Sequence, residues 1–366
     1  MRQEHTFVPA ASGLQEPVLE VLASVSSKMG VDPLAERLLA LQRWLGDDLI
    51  ELEEAVVALS RGFVREGERG QRGRLAARHL LELSGKRLRP VCVMLAARVG
   101  GVGLTPVVRD LAVSCEIVHA ATLLHDDVID EGTDRRGAPS ARVVYGNSAS
   151  VLGGDHLLIE ALKRVHASGL PTLMPALLEV IQEMVGGEAM QLERRGRFVP
   201  DREVYLGIIE RKTASLFRFA LMAGGTAAGL EQPVVDALGR AGLELGMAFQ
   251  LVDDILDLEG DPRVTGKNAL ADLREGKLTW PFIIAAERDP GARASLKAIV
   301  EGGAPESSGV LSELVAQVRA TGALEETRRF AMDRGEAATA ELARLPVGAA
   351  RDNLERVVEA AICRVR

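Results

Sequence analysis

The chain has 366 residues with 44 Lys and Arg against 52 Asp and Glu, a formal charge of −8; that sign disfavours nucleic acid or an anionic lipid surface as main partner, so a bound anion must meet a local basic cluster. Eight Phe, two Tyr and two Trp leave little material for stacking on bases. Cys92, Cys115 and Cys363 are far apart with no CxxC, which excludes a disulfide framework or thiolate zinc site and makes a reducing cytoplasm the expected compartment. Residues 1–35, with Pro9, Pro17 and Pro33 around a short apolar stretch, read as an N-terminal extension, partly ordered at most. From 36 to 366 the pattern is that of a single all-α domain. Leu38, Leu41, Leu45, Leu49, Leu52, Val56 and Leu59 step by three or four, the stripe of one amphipathic helix. The same period predicts helices over 75–83, 91–99, 111–124, 151–165, 173–184, 205–222, 234–258 and 280–286, with loops at 100–106, 131–139, 196–200, 260–277 and 301–309. Alternating Val/Ile/Thr runs and fixed-period repeats are absent, and no apolar run is long enough for a transmembrane segment.

Two acidic motifs stand out. Leu124-His125-Asp126-Asp127-Val128-Ile129-Asp130 ends one apolar helix, and Phe249-Gln250-Leu251-Val252-Asp253-Asp254-Ile255-Leu256-Asp257 lies inside another. Asp126 and Asp130 share a helix face one turn apart, as do Asp253 and Asp257, and like charges at that spacing repel unless a cation lies between them. Sparse, hard oxygen ligands suit Mg²⁺, which keeps several waters and completes its octahedron with phosphate oxygens. One such motif alone would read as a solvated acidic turn; two, each in an apolar helix and each followed by a basic loop, point to a pair of metal platforms. Helical spacing adds His119 to the first aspartate face and Gln250 to the second. Cations surround them: Lys86 and Arg89 in Gly85-Lys86-Arg87-Leu88-Arg89-Pro90 at a helix start, Arg135 and Arg136, Lys212 with Thr213, Lys267, and Lys277. As a set they imply substrates carrying diphosphates, held partly through metal and partly by the protein directly.

In this combination, GKRLRP, HAATLLHDDVID, DRRG, VLGGD, KTASLF, FQLVDDILD and DLREGK, the chain resembles the all-trans polyprenyl diphosphate synthases, from about Gly85 to the C-terminus. It is most similar to the long-chain branch, which includes octaprenyl diphosphate synthases. The resemblance implies an isoprenoid synthase type I helical bundle with a deep central cavity, usually a homodimer, that elongates an allylic primer (farnesyl or geranyl diphosphate) with isopentenyl diphosphate. It further implies Mg²⁺, three ions per active site with substrate bound, on Asp126, Asp130, Asp253 and Asp257, with Asp127 and Asp254 supporting. Lys86, Arg89, His119 and Arg136 would hold isopentenyl diphosphate. Arg135, Lys212, Thr213, Gln250, Lys267 and Lys277 would hold the allylic diphosphate. Two departures, Ser84 for a glycine and His156 for an aromatic, remove no charge.

A terpene cyclase would leave Lys86, Arg89 and Arg136 without purpose, and a silent regulatory subunit would be expected to lack aspartates or cations that are all present. Product length follows from the resemblance too. Short-chain farnesyl or geranylgeranyl synthases place an aromatic floor four and five residues before the first aspartate, where this chain has Thr122 and Ala121. The expectation is therefore a product of about C30 to C50, centred on C40, stopped deeper near Val165 or Leu177. Such a product could be handed to a membrane.

Overall fold

Apolar residues three and four apart make helices almost throughout the computed structural model, which describes residues 32–63, 71–83, 85, 87–259, 270–302 and 308–363. Lys86, Lys267 and residues 1–31 of the expected extension lie outside the described residues. The first helices are α1 (Asp32–Leu45), α2 (Asp47–Gly62), α3 (Arg72–Glu82), α4 (Leu88–Val99) and α5 (Pro106–Ile129). After a two-residue strand pair, β1 (Asp134–Arg135) and β2 (Ala138–Pro139), come α6 (Ala141–Tyr145), α7 (Asn147–Ala167), α8 (Leu173–Arg194) and α9 (Arg202–Ile209). A π-turn, Glu210–Ala214, leads into α10 (Ser215–Ala227), α11 (Gln232–Glu259), α12 (Ala271–Arg274) and α13 (Trp280–Arg288). Beyond the last predicted helix follow α14 (Pro290–Gly302), α15 (Ser308–Ala320), α16 (Ala323–Leu342) and α17 (Ala349–Cys363).

Local signals set several ends. Thr105 caps α5, its hydroxyl accepting from Val108 N at 3.3 Å with Pro106 in the first turn. Asp201 caps α9 through Val204 N at 3.1 Å. The single helix expected across 38–59 is instead two, because Gly46 takes φ 42° and turns the chain between them. The apolar stripe survives that break because both helices lie on the same core. Four residues assigned to the extension belong to α1, which buries Leu34 and Ala35. The loop expected at 131–139 contains the hairpin, where Arg136 (φ 53°) and Gly137 (φ 78°) supply the two positive φ angles of a type I′ turn.

Two apolar cores result. One gathers α1–α8, α10, the first half of α11, the end of α16 and α17; the other gathers α9, the second half of α11 and α12 to the start of α16. Helix α10 lies at the centre, against α4, α5 and α11. It approaches α11 so closely that a Cβ at Gly242 would meet Phe217 O at 2.6 Å. Phe217, Phe219 and Phe282 are fully buried, each stabilising the fold by roughly 1.5–3 kcal/mol. Among the described residues no helix is long and apolar enough to cross a membrane.

Candidate active site

A cavity of about 1350 Å³ opens between α5, α8, α9 and α11. At its mouth α5 ends in the first aspartate motif. Asp126 faces the cavity; burial, opposed by Lys212 and reinforced by Glu188 and Asp130, pushes its carboxyl up to about 6. Its Oδ2 lies 3.4 Å from Lys212 Nζ, and Lys212 pairs also with Glu188. Asp130, the C-cap of α5, accepts from Lys277 Nζ at 2.7 Å and has Arg195 Nη1 at 3.5 Å. Asp127 points the other way. It is fully buried and bound by Arg135, whose Nε donates to Oδ1 at 2.9 Å. The chain thus spends Asp127 on holding the hairpin arginine rather than on the cavity, because successive residues of a helix diverge by about 100°.

The second motif lies on α11, where Asp253, Asp254 and Asp257 all border the cavity. Asp254 is 1% exposed and accepts from the Tyr205 hydroxyl, from Gln250 Nε2 at 3.0 Å and from Trp280 N at 3.4 Å. Burial and Asp272 push it up to about 8 against those hydrogen bonds. Asp254, expected in a supporting role, ties α9, α11 and α13 together and holds Gln250, which in turn accepts from the Thr213 hydroxyl at 3.0 Å. Asp257, expected as a metal ligand, has its carboxylate taken up by the amides of Ala271 (3.0 Å) and Asp272 (3.4 Å), where it starts α12.

The π-turn carries Lys212 and Thr213 into the cavity, a distortion that typically marks functional positions. Opposite, α8 supplies two residues that the sequence reading did not single out. Glu188 follows Ile181 and Met184 on an apolar face, and an acid on such a stripe was the available signal. Arg195, just past α8, donates from Nη1 to Ile129 O at 2.8 Å and from Nε to Glu275 O at 3.1 Å, bracing the first motif against the segment that bears Lys277.

The basic groups collect at another end. Arg89 is stacked 4.4 Å over the Phe217 ring, and its Nε is buried with no hydrogen-bond partner among the described residues. Arg136 leans over Gly85, where a Cβ would sit 2.7 Å from its Nη1, and donates to Leu83 O at 3.1 Å. His119 lies among these cations. Burial and the charges of Arg89, Arg136, Arg135 and Arg87 hold its imidazolium pKa well below the ordinary value, so it is neutral at pH 7. Arg87 and Glu116, also not singled out, form a buried ion pair here, Nη1 to Oε1 at 2.5 Å.

Another stretch of the cavity wall is apolar, with Leu123, Leu158, Ile181, Met184, Val185 and Leu192. Thr122 lines it with its hydroxyl turned back to His119 O at 2.8 Å. Ala121, Val165 and Leu177, expected as floor or stop, are instead fully buried in the helix packing and do not border the cavity. Among the described residues, no group of three or more His, Cys, Asp or Glu stands ready to hold a metal. Lysines occupy the oxygens instead. The donor chemistry of Asp126, Asp130 and Asp253, hard carboxylate oxygens alone, nevertheless suits Mg²⁺ and not a softer ion.

The family described as polyprenyl synthetase matches residues 72–318. The chain is 36% identical over 292 residues to heptaprenyl diphosphate synthase component 2 of Geobacillus stearothermophilus, covering 80% of this chain and 88% of that protein. Its structure superposes on a decaprenyl diphosphate synthase from Rhodobacter capsulatus with a TM-score of 0.80 at 37% identity, covering 89% and 99% of the two chains. It also superposes on a polyprenyl synthase from Caulobacter crescentus CB15, solved with calcium and isoprenyl diphosphate, with a TM-score of 0.79 at 30% identity over 97% and 100%.

Proposed function

The chain belongs to the polyprenyl synthetase family, a prenyltransferase of the long-chain all-trans type, and from that premise we propose how its residues divide the work. One observation carries the reading: a single cavity has cation-masked aspartates at one end, an arginine cluster with an unsatisfied guanidinium at another, and apolar walls beyond. Asp126, Asp130 and Asp253 would hold Mg²⁺, three ions once substrate is bound. The metal supplies positive charge to the leaving diphosphate of the allylic primer. Lys212, Lys277, Thr213, Gln250 and Arg135 line the cavity where they would meet the same diphosphate and stabilise its charge as the C–O bond breaks, a role the resemblance also gives Lys267. Arg89, Arg136 and Lys86 bind isopentenyl diphosphate directly, and neutral His119 offers a hydrogen bond there without adding charge. The isopentenyl double bond then attacks the allylic carbon to form the new C–C bond, and a proton passes to the departed diphosphate, restoring an allylic diphosphate. Leu123, Ile181, Met184 and their neighbours exclude water, which would otherwise quench the allylic cation.

The product class is C30 to C50, centred on about C40, because no aromatic closes the wall at Thr122 and the apolar lining continues to Leu158 and Ile181. The primer is farnesyl or geranyl diphosphate and the compartment the cytoplasm, in keeping with three buried free thiols. A homodimer is supported by one exposed apolar face. Leu178, Val185 and Leu192 recur every seven residues on α8, beside Leu152 and Ile159 of α7, and all five are half or more exposed.

Chromatography of the products from farnesyl diphosphate, excess isopentenyl diphosphate and Mg²⁺ tests the reading. The expected product lies between C30 and C50, and Thr122→Phe is expected to shorten it without abolishing turnover. Only C15 or C20 product from the unaltered chain would overturn the long-chain assignment.

A further inference from the structure

Glu116 lies on α5 one turn before His119 and is 2% exposed. Three guanidinium groups surround it. Arg87, 3% exposed, donates to it from Nη1 at 2.5 Å, while its Nε reaches Glu53 at 3.0 Å and its Nη2 reaches Leu81 O at 3.4 Å. Arg89 and Arg136 are close enough that each interacts electrostatically with the Glu116 carboxylate, and Arg136 is in turn repelled by Arg87 and Arg135. All four residues border the cavity. Arg87 also takes a left-handed backbone conformation, φ 38° and ψ 27°, unusual for a residue with a Cβ and sustained here by its buried bonds.

Three like charges in a poorly solvated pocket repel one another and would splay before a substrate arrives. A carboxylate at their centre offsets that repulsion and fixes their directions. It anchors Arg87 inward, and through Arg87 the start of α4, so that Arg89 stacks on Phe217 with its Nε unsatisfied and Arg136 stays over Gly85.

We propose that Glu116 is a positioning residue for the metal-independent diphosphate site, a fixed buried anion that arranges Arg87, Arg89 and Arg136 in advance for isopentenyl diphosphate. The proposal rests on the reading of that site given above. A carboxylate inside an anion site is counterintuitive, since by charge alone its removal would strengthen anion binding. Preorganisation outweighs that term, because each charge-assisted contact to diphosphate depends on a guanidinium held in place.

The test uses the full chain, with calorimetric titration of isopentenyl diphosphate in EDTA and steady-state kinetics with each substrate varied separately. Glu116→Gln keeps the size and loses the charge. It is expected to weaken isopentenyl diphosphate binding about tenfold or more and to raise its KM in parallel, leaving KM for the allylic primer within about twofold. The double variant Arg87→Met with Glu116→Gln leaves no unpaired charge between the two positions, carries the test if the single variant does not fold, and is expected to remain weakened. Unchanged or tighter binding by Glu116→Gln, or equal rises in both KM values, would overturn the proposal. Recovery of full affinity in the double variant would also overturn it, since Glu116 would then serve Arg87 alone. Failure of the unaltered chain to bind isopentenyl diphosphate in EDTA would remove the diphosphate site itself, an outcome distinct from binding that is indifferent to Glu116.

Discussion

Lys212 on Asp126 and Lys277 on Asp130 show how a site built for polyanions stays folded without them: each cation pairs with an acid at the cavity mouth, and the pull of Lys212 opposes the burial that pushes Asp126 up. The cost of an unpaired buried charge, several kcal/mol, explains why Asp126 and Asp130 each come with a lysine partner. The thiols obey the same logic from the neutral side. Cys92 and Cys115 are fully buried next to Arg89, and burial pushes the Cys92 thiol up to about 12 against the pull of that arginine. Both therefore remain protonated at neutral pH, and native protein is expected to resist maleimide and keep its turnover, with all three cysteines labelling only after unfolding; rapid labelling with inactivation would contradict the buried placement. Placement in one cavity was readable in sequence where type and spacing suffice, as for Asp126, Asp253 and Lys212. It was not readable where the partner comes from a distant element. Nothing adjacent to Asp254 announces Tyr205 and Trp280, and nothing adjacent to Glu116 announces Arg87.

At the level of elements, the helical period located the long helices up to Ala286 but neither the four beyond it, α14 to α17, nor the irregularities that aim the site. A stripe of apolar residues reports which face is buried, and that face is nearly unchanged across Gly46 or through the π-turn at Glu210–Ala214. The π-turn inserts the equivalent of one extra residue, turning the Lys212 side chain toward Asp126 while α9 and α10 keep their packing. Deleting Arg211 is expected to restore a regular helix and to rotate Lys212 by about 100° away from the cavity. Helical circular dichroism would be retained, while kcat falls by about a hundredfold or more, the penalty typical of a misplaced catalytic group. Unimpaired turnover would show that the turn is incidental. The hairpin acts similarly. Its I′ turn sends Arg135 to Asp127 and Arg136 to Gly85, so two sequence neighbours serve different parts of the cavity.

For the whole molecule, the two cores meet along α11 and α16, and the cavity lies where neither core fills the space. The face formed by Leu152, Ile159, Leu178, Val185 and Leu192 is the part of the surface most suited to a second copy, and in a two-fold dimer each substitution there acts twice. Val185→Glu combined with Leu178→Glu is expected to convert a sedimenting dimer to a monomer. A dimer that persists would place the interface elsewhere, and unaltered protein that is monomeric but pairs with a different chain would make the face a docking site for an unlike component. Val185 and Leu192 border the cavity and open to solvent at once, so along this side a single helix is a party wall between the growing hydrocarbon and whatever lies outside. In the proposed dimer, a chain-length ruler built this way would have its zero mark at Asp126 in one copy and its end stop backed by the other. Loosening the pair would then blur the scale, and the monomeric variant's products would spread over several lengths rather than shift to a single new one.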